Sequence, residues 1–408
     1  MADSRPAQHL PTYPPTQLPR SPSRILLVRL REIGDVIFTT PAVHALRRRF
    51  PAAHLTYVVE PAAAPVVVHN PHLDRVLIAK RLPGLRGLAA DLAFGRQLRA
   101  DRYDLAIDFH GGPRASLLTW LSGAPERIGY EIAARGWMYT TRVARPRALR
   151  PRHSVENQWD LLAPLGIAPL DRASFPVEMA ADPDAAASVD ARLDGAGVRA
   201  TDTLIVVHVS AGNPFRRWPF EHFVLLVAAL AAGDPGRRII ITAGPSEGDA
   251  AERVIAGARA RLEASGGSER TRPTYGGPGD QVGRVHSGQV GRVLSDPADR
   301  VVSCGEFSLA ELRALLDRAS LYIGGDSGPL HIAATTTVPI VGVYGPTLPA
   351  RSAPWRDERL ATESVEAGEL PCRPCDQRVC EPGDFRCLTR VTPEQVARAA
   401  EIAMLRVG

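Results

Sequence analysis

Leu321-Tyr322-Ile323-Gly324-Gly325-Asp326-Ser327-Gly328-Pro329-Leu330-His331-Ile332-Ala333-Ala334 reads as a short buried strand, a glycine-rich turn and the start of a helix. The apolar opening suits a strand covered on both faces, as in a parallel sheet. Gly324, Gly325 and Gly328 let another group approach the backbone closely. Amides freed at the helix start favour an anion above the turn, and Asp326, Ser327 and His331 add polar side chains there. The same residues also suit an ordinary capped helix, with Asp or Ser at the N-cap. The rest of the chain decides between the two.

Working outward, the strand-turn-helix pattern recurs. Leu204–Val209 and Arg238–Ala243 are apolar strand-like runs before it, with helical patterns at Phe220–Ala232, Glu247–Leu262 and Ser308–Ala319 between them. Ser308 with Glu311 forms a capping box. Ile340–Tyr344 follows as a last strand, and Pro393–Leu405 as a helix capped by Thr392. An earlier series repeats the alternation. It has strands at Arg24–Leu30, His54–Val59, Arg75–Ile78, Leu105–Asp108 and Arg127–Gly129, a turn over Arg31–Asp35 that leads into a helical stretch to about Phe50, and further helical patterns at Leu85–Arg99 and Arg114–Leu121. Such alternation predicts doubly wound parallel sheets. We therefore expect an α/β protein of two Rossmann-like domains, 24–180 and 200–392, facing each other across a cleft. Residues 182–200 read as a helix plus connector, and 393–408 as a C-terminal helix. The Pro-rich segment 1–23 reads as a disordered tail, and 263–297, rich in Gly, Ser, Arg and Pro, as a disordered insertion.

Composition narrows the class. With 408 residues, 45% hydrophobic and 23% charged, the chain is long enough for two cores and ordinary for a globular protein. Its longest apolar runs fall far short of the roughly 20 residues that span a bilayer, and its N-terminus lacks a signal peptide's apolar core. A cytoplasmic location is expected. The net charge of +5 is carried almost wholly by arginine, whose planar fork suits phosphate and carboxylate.

Four turns beyond strand ends hold candidate chemistry. Gly34-Asp35 follows the first strand without the G-x-G-x-x-G spacing, which disfavours dinucleotide binding. Asp35 is either a dipole-stabilised helix-start carboxylate or a general base. Ser210 to Pro219, with Ala211, Gly212, Arg216, Arg217 and Trp218, is either a phosphate cradle or a solvated basic loop anchored by a buried tryptophan. Glu247 is either a first-turn helix residue or a ribose ligand. The Asp326 turn is the fourth.

Taken in order, Gly34-Asp35 with Thr39-Thr40-Pro41-Ala42, Arg216-Arg217-Trp218-Pro219, and Asp326 to Ala334 ending in Gly345-Pro346-Thr347 resemble glycosyltransferase family nine, the lipopolysaccharide heptosyltransferases. The resemblance spans roughly Arg24 to Leu405. It implies the GT-B fold and an inverting transfer of heptose from ADP-heptose to a lipopolysaccharide core acceptor, with no metal required. It also implies that Asp35 is the base, and that Ala211, Gly212 and Arg216 stabilise the leaving diphosphate. Asp326, Ser327, Gly328 and His331 would hold the sugar and phosphates, and Glu247 the ribose. Arg216 stands where the family usually has lysine, so a GT-B enzyme using another nucleotide sugar and glycan acceptor is the alternative. Arg81, Arg86, Arg114 and Arg127, on turns of the first domain, are candidates for an anionic, lipid-linked acceptor. Such an acceptor implies peripheral contact with the inner face of the cytoplasmic membrane.

Cys372-Arg373-Pro374-Cys375 with Cys380 and Cys387, in a loop of about residues 370–390, resembles a zinc knuckle. A structural zinc would staple this loop, and four thiolates leave no open catalytic position. Free thiols are the other reading. A zinc-knuckle nucleic-acid-binding protein ranks last, because the basic residues are interleaved with Asp and Glu and not with aromatics. No nucleic acid partner is expected.

Overall fold

A computed structural model describes residues 21–144, 152–167, 170–244, 247–269 and 296–406. The chain divides into two compact units. One comprises the described residues up to Ala180 with Trp355–Asp357; the other runs from Ala181 to Pro354 and from Glu358 onward.

The first unit holds β1 (Arg24–Val28), β2 (His54–Val59), β3 (Arg75–Ile78), β4 (Leu105–Asp108), β5 (Glu126–Tyr130) and β6 (Thr141–Val143). All pairings are parallel, in the order β3-β2-β1-β4-β5-β6. The second unit holds β7 (Thr203–His208), β8 (Arg237–Thr242), β9 (Val301–Val302), β10 (Leu321–Gly325), β11 (Ile340–Tyr344) and β12 (Thr362–Glu366). It too is parallel, ordered β12-β11-β10-β7-β8-β9. Each sheet starts in its middle, grows to one side for three strands, then returns to grow on the other. The switch points lie between β1 and β4 and between β7 and β10, where open parallel sheets bind ligands beyond their carboxyl ends.

Alternate side chains of each central strand feed a core. In the second unit Ile205, Val207, Ile239, Ile241, Ile323 and Val341 pack with Phe223, Leu226, Val227 and Val396 from the helices Phe220–Gly233 and Pro393–Leu405. In the first, Leu26, Val28, Val58 and Ala106 pack with Leu98 and Leu118. Burial of this kind contributes roughly 25 cal/mol per Å² of apolar area.

The strands missed from sequence are β6, β9 and β12. All three sit at sheet ends. An edge strand covered on fewer sides needs no apolar run, and Thr362-Glu363-Ser364-Val365-Glu366 has none. The expected helix to Phe50 is two helices, Ile33–Ile37 and Thr40–Arg49. The Thr39 and Thr40 hydroxyls donate to the carbonyls of Val36 and Ile37 at 2.6 and 2.7 Å, closing the first helix, and Pro41 suits the first turn of the next. The stretch 182–200 is no free connector. Its helix, Pro183–Gly195, belongs to the second unit and meets the helix Leu309–Arg318 there, with Ser188 Oγ donating to Glu311 Oε1 at 2.8 Å. The C-terminal helix also belongs to the second unit. The helix Gly248–Glu269 extends into the expected insertion; residues 270–295, like most of the expected tail, lie outside the described residues. Ser23 is not part of a free tail, since its amide and hydroxyl both donate to Asp104 Oδ2, at 2.7 and 2.6 Å.

Candidate active site

Beyond β1 the chain turns over the carboxyl edge of the first sheet. Glu32 takes a left-handed φ of 67°, uncommon for a residue with a Cβ, and so starts the helix that carries Asp35 in its first turn. The Asp35 carboxylate pairs with the guanidinium of Arg29, and its backbone carbonyl accepts from Gln158 Nε2 at 3.3 Å. Arg29 also donates to the Phe109 carbonyl at 2.8 Å. Phe109 lies just past β4, so Arg29 ties together the two strand ends that flank the switch point. Beside it, Asp108 is fully buried and accepts from the His110 and Gly111 amides at 2.8 and 2.9 Å and the Tyr139 hydroxyl at 2.6 Å. Burial pushes the Asp108 pKa up despite these bonds. Asp108 shapes its loop, whereas the Asp35 side chain is 37% exposed and open to a ligand. A carboxylate held in place yet open can accept a proton from a bound hydroxyl.

The second switch point gathers more. Asp326 follows β10 and is almost wholly buried. Arg216, from the loop after β7, donates to the Asp326 carbonyl at 3.2 Å and lies 3.4 Å from its Oδ2. The Thr347 hydroxyl donates to Oδ2 at 2.6 Å, and His331 Nε2 stands 3.5 Å from Oδ1. Burial alone would raise the Asp326 pKa; His331, Arg216 and Thr347 together bring it below the ordinary value. Ser327 is the N-cap of the helix Gly328–Ala333, but its side chain makes no capping bond. Gly324 accepts no substitute here, because a Cβ would collide with the Tyr322 hydroxyl.

Arg216 is fixed from a further side. Gln377 Oε1, in the cysteine-rich loop, accepts from Arg216 Nε at 2.7 Å and from Asn213 Nδ2 at 2.9 Å. Around Gly212 the space that a Cβ would enter is open. Ala211 is buried and its carbonyl accepts from Arg217 Nε at 2.9 Å. Arg217 pairs in turn with Glu247. Beneath these loops, His208 is buried with Nδ1 3.0 Å from Thr242 Oγ1 and Nε2 3.0 Å from Ser210 Oγ. Ser210 Oγ accepts from the Gly244 amide at 2.7 Å, linking the loops after β7 and β8. Burial pushes the His208 pKa down to about 4, so the ring is neutral at pH 7.

Sequence reading missed Arg29, Gln377 and the His208–Ser210 link. Only Arg29, a charge at the end of an apolar strand, left any local signal. Of the four arginines expected to meet an acceptor, Arg114 is committed to Asp91, Glu60 and two carbonyls, which draw on all its donor groups. Arg127 donates to the carbonyls of Met138 and Ala124. Arg81 and Arg86 are exposed. No disulfide joins the four cysteines, which line one pocket with Phe215 and Phe385. Burial first, then the neighbouring sulfurs, push the Cys387 thiol up.

Among the described residues, one group of three metal-capable ligand atoms lies within 4.8 Å of one another: His44, His72 and Glu178. Their imidazoles stack at 4.2 Å between centroids and 14° between planes. Two such parallel rings cannot both contain one ion in their planes. Instead His44 Nδ1 lies 3.0 Å from one Glu178 oxygen and His72 Nε2 3.1 Å from the other.

Solved structures share this architecture. A glycosyl transferase family 9 protein from Veillonella parvula has TM-score 0.74 at 23% identity, covering 94% of this chain and 97% of its own. An Escherichia coli ADP-heptose lipopolysaccharide heptosyltransferase II has TM-score 0.69 at 16% identity, covering 94% and 99%. Two Rossmann-like units of this topology define the GT-B class. Lipopolysaccharide heptosyltransferase 3 of E. coli is 25% identical over 354 residues, 86% of this chain and 91% of the relative. Lipopolysaccharide heptosyltransferase 1 of Pseudomonas aeruginosa is 25% identical over 414 aligned positions, covering 94% and 98%. Residues 92–263 and 292–383, more than half of the chain, match the model for glycosyltransferase family 9 (heptosyltransferase). The chain belongs to that family and is a glycosyltransferase. The matched segments contain Arg216, Glu247 and the Asp326 turn; Asp35 precedes them.

Proposed function

We propose that this enzyme transfers a heptose, with inversion, from ADP-heptose to a lipopolysaccharide core sugar. The observation that carries this reading is the second switch point. There a buried carboxylate, a fixed guanidinium, a histidine and an open glycine loop converge beyond the strand ends. The family and the named relatives supply the sugar and the acceptor.

In the reaction, Asp35 takes the proton of the acceptor hydroxyl as its oxygen attacks the anomeric carbon. The bond from that carbon to the diphosphate oxygen breaks on the opposite face, and ADP departs with the electron pair. Charge grows on the leaving phosphate, where Arg216 and the amides of Ala211 and Gly212 stabilise it. Asp326, Ser327, Gly328 and His331 hold the sugar and phosphates, and Glu247 the ribose. A guanidinium and backbone amides answer the leaving group's charge, so this reading asks for no catalytic metal. The acceptor is lipid-linked and acidic, and the enzyme works on it from the cytoplasm at the membrane surface. Among the described residues no helix is long and apolar enough to cross a membrane.

Arg216 in place of the usual lysine favours a second reading, another nucleotide sugar on the same fold. A donor screen with purified protein and a deacylated core acceptor tests both. Heptose transfer from ADP-heptose is expected; turnover only of a different nucleotide sugar would remove the donor and leave the fold. A structural zinc on Cys372, Cys375, Cys380 and Cys387 is a separate proposal, supported by their convergence on one pocket. A tetrahedral thiolate site has sulfurs about 4 Å apart, and no three of these meet within 4.8 Å, so the loop as it stands does not form one. Zinc binding would require the loop to close around the metal; one zinc per chain by elemental analysis would support it, and metal-free, fully folded protein would dismiss it.

A further inference from the structure

The helix Gly84–Ala100 carries apolar side chains on both faces. Its inner face carries Gly87, Asp91, Phe94, Gly95 and Leu98, and its outer face carries leucines. Gly87 lies so close to the Leu82 carbonyl that a Cβ would collide with it, and a Cβ on Gly95 would stand 2.7 Å from Leu121. At Gly95 the helix packs closely against Leu121, Leu98 enters the first unit's core with Phe94 beside it, and Gly87 lets the preceding turn fold back against the helix start. Outside, Leu85 is 85% exposed, Leu88 51% and Leu92 38%, at the spacing of one helical stripe. Leu82, 49% exposed, extends the patch into the preceding turn. Exposed leucines scattered singly need no explanation, but a stripe of them on one helix does.

Charge selects what covers the stripe. From Lys80 to Ala100 the sequence has five basic residues and one acidic, Asp91, which turns inward to Arg114. Lys80, Arg81, Arg86 and Arg96 are exposed around the leucines. An apolar stripe rimmed by cations matches an anionic lipid surface, with leucines entering the acyl boundary and arginines meeting phosphates. A second copy of the same face would set these cations against each other.

Topology adds a position. The turn from Ala79 to Pro83 follows β3, so it lies at the carboxyl edge of the first sheet, the edge that carries Asp35. β3 is two strands from β1, about 10 Å along the sheet. We propose that Leu82, Leu85, Leu88 and Leu92, with Arg81 and Arg86, dock the enzyme on an anionic membrane surface, presenting the Asp35 edge to a lipid-linked acceptor. This rests on the acceptor reading above and names the surface that serves it. It also gives Arg81 and Arg86 a role in gripping the lipid surface that bears the acceptor.

The test uses full-length protein and vesicles of phosphatidylethanolamine with phosphatidylglycerol or with phosphatidylcholine. The wild type should cosediment with the anionic vesicles. L85S/L88S/L92S should bind them at least about tenfold more weakly, and R81E/R86E should lose the preference for anionic over neutral vesicles. Both variants should keep the wild-type melting temperature, and the leucine variant should keep full turnover of a deacylated, water-soluble acceptor. Wild-type vesicle binding by the leucine variant would overturn the proposal. So would a wild-type dimer in solution that the leucine variant dissolves, because the stripe would then be a subunit interface. Loss of turnover on the soluble acceptor in every form, wild type included, would instead count against the acceptor reading and leave the vesicle result standing.

Discussion

Arg29 and Asp35 form an ion pair across the turn that ends β1, and the same guanidinium holds the Phe109 carbonyl beyond β4 at 2.8 Å. The proposed base is therefore anchored to both strands of the first switch point, although its own helix is only five residues long. A carboxylate on so short a helix would wander without that cation. An anchored one keeps a defined direction toward a hydroxyl, which is where positioning enters the rate.

Asp35→Asn should retain donor affinity and lose kcat by about a hundredfold to ten-thousandfold, the usual contribution of a positioned general base. The measurement is steady-state kinetics with donor binding by calorimetry. Near-normal turnover would remove Asp35 from the chemistry.

Arg29→Met keeps a long apolar stem in a buried position but frees both Asp35 and the Phe109 carbonyl. We expect kcat to fall about tenfold to a hundredfold with little change in donor KM, the mark of a misplaced reacting group. Arg29→Lys should recover part of the loss through charge, without the double contact. A change in donor KM alone would show that Arg29 serves another function.

Gln377 joins the cysteine-rich loop to the leaving-group arginine, 161 residues away in sequence. Gln377→Ala should raise donor KM by about tenfold, in line with about 1.5 kcal/mol for a hydrogen bond to a charged group. The melting temperature should stay within a few degrees. Treatment that alters the loop's thiols should raise KM in the same direction. Unchanged donor KM in Gln377→Ala would show that Arg216 is held sufficiently by Asp326.

His208 predicts a pH dependence of stability. Its folded pKa of about 4 lies below the ordinary 6.5 because burial disfavours the charged ring. The unfolded chain takes up the proton first as pH falls, so this residue's contribution is intact above pH 6.5 and is lost progressively down to about pH 4. At pH 5 the loss is about 2 kcal/mol relative to pH 7.5. Urea denaturation of wild type against His208→Gln at the two pH values isolates it; equal slopes in both proteins would refute the assignment.

Much of this was legible in the chain. Ile25 to Val28, Leu204 to Val207 and Leu321 to Ile323 announce buried parallel strands, because a strand covered on both faces must be apolar at every position. Glycine turns after them mark the carboxyl edges, and the family motif fell on those turns. Gly95 was silent: nothing in the sequence says that a leucine-bearing helix packs there against Leu121, leaving Leu85 and Leu88 outside.

Two sheets, their central strands and the turns on which Asp35, Arg216 and Asp326 stand can be read from the chain alone, because they follow from neighbours a few residues apart. The edge strands β6, β9 and β12, the anchoring of Asp35 and the grip on Arg216 emerge only from the folded chain. β12 carries no apolar run and β6 and β9 are only three and two residues long, and partners such as Arg29 and Phe109, 80 residues apart, meet only when strand order places their turns side by side.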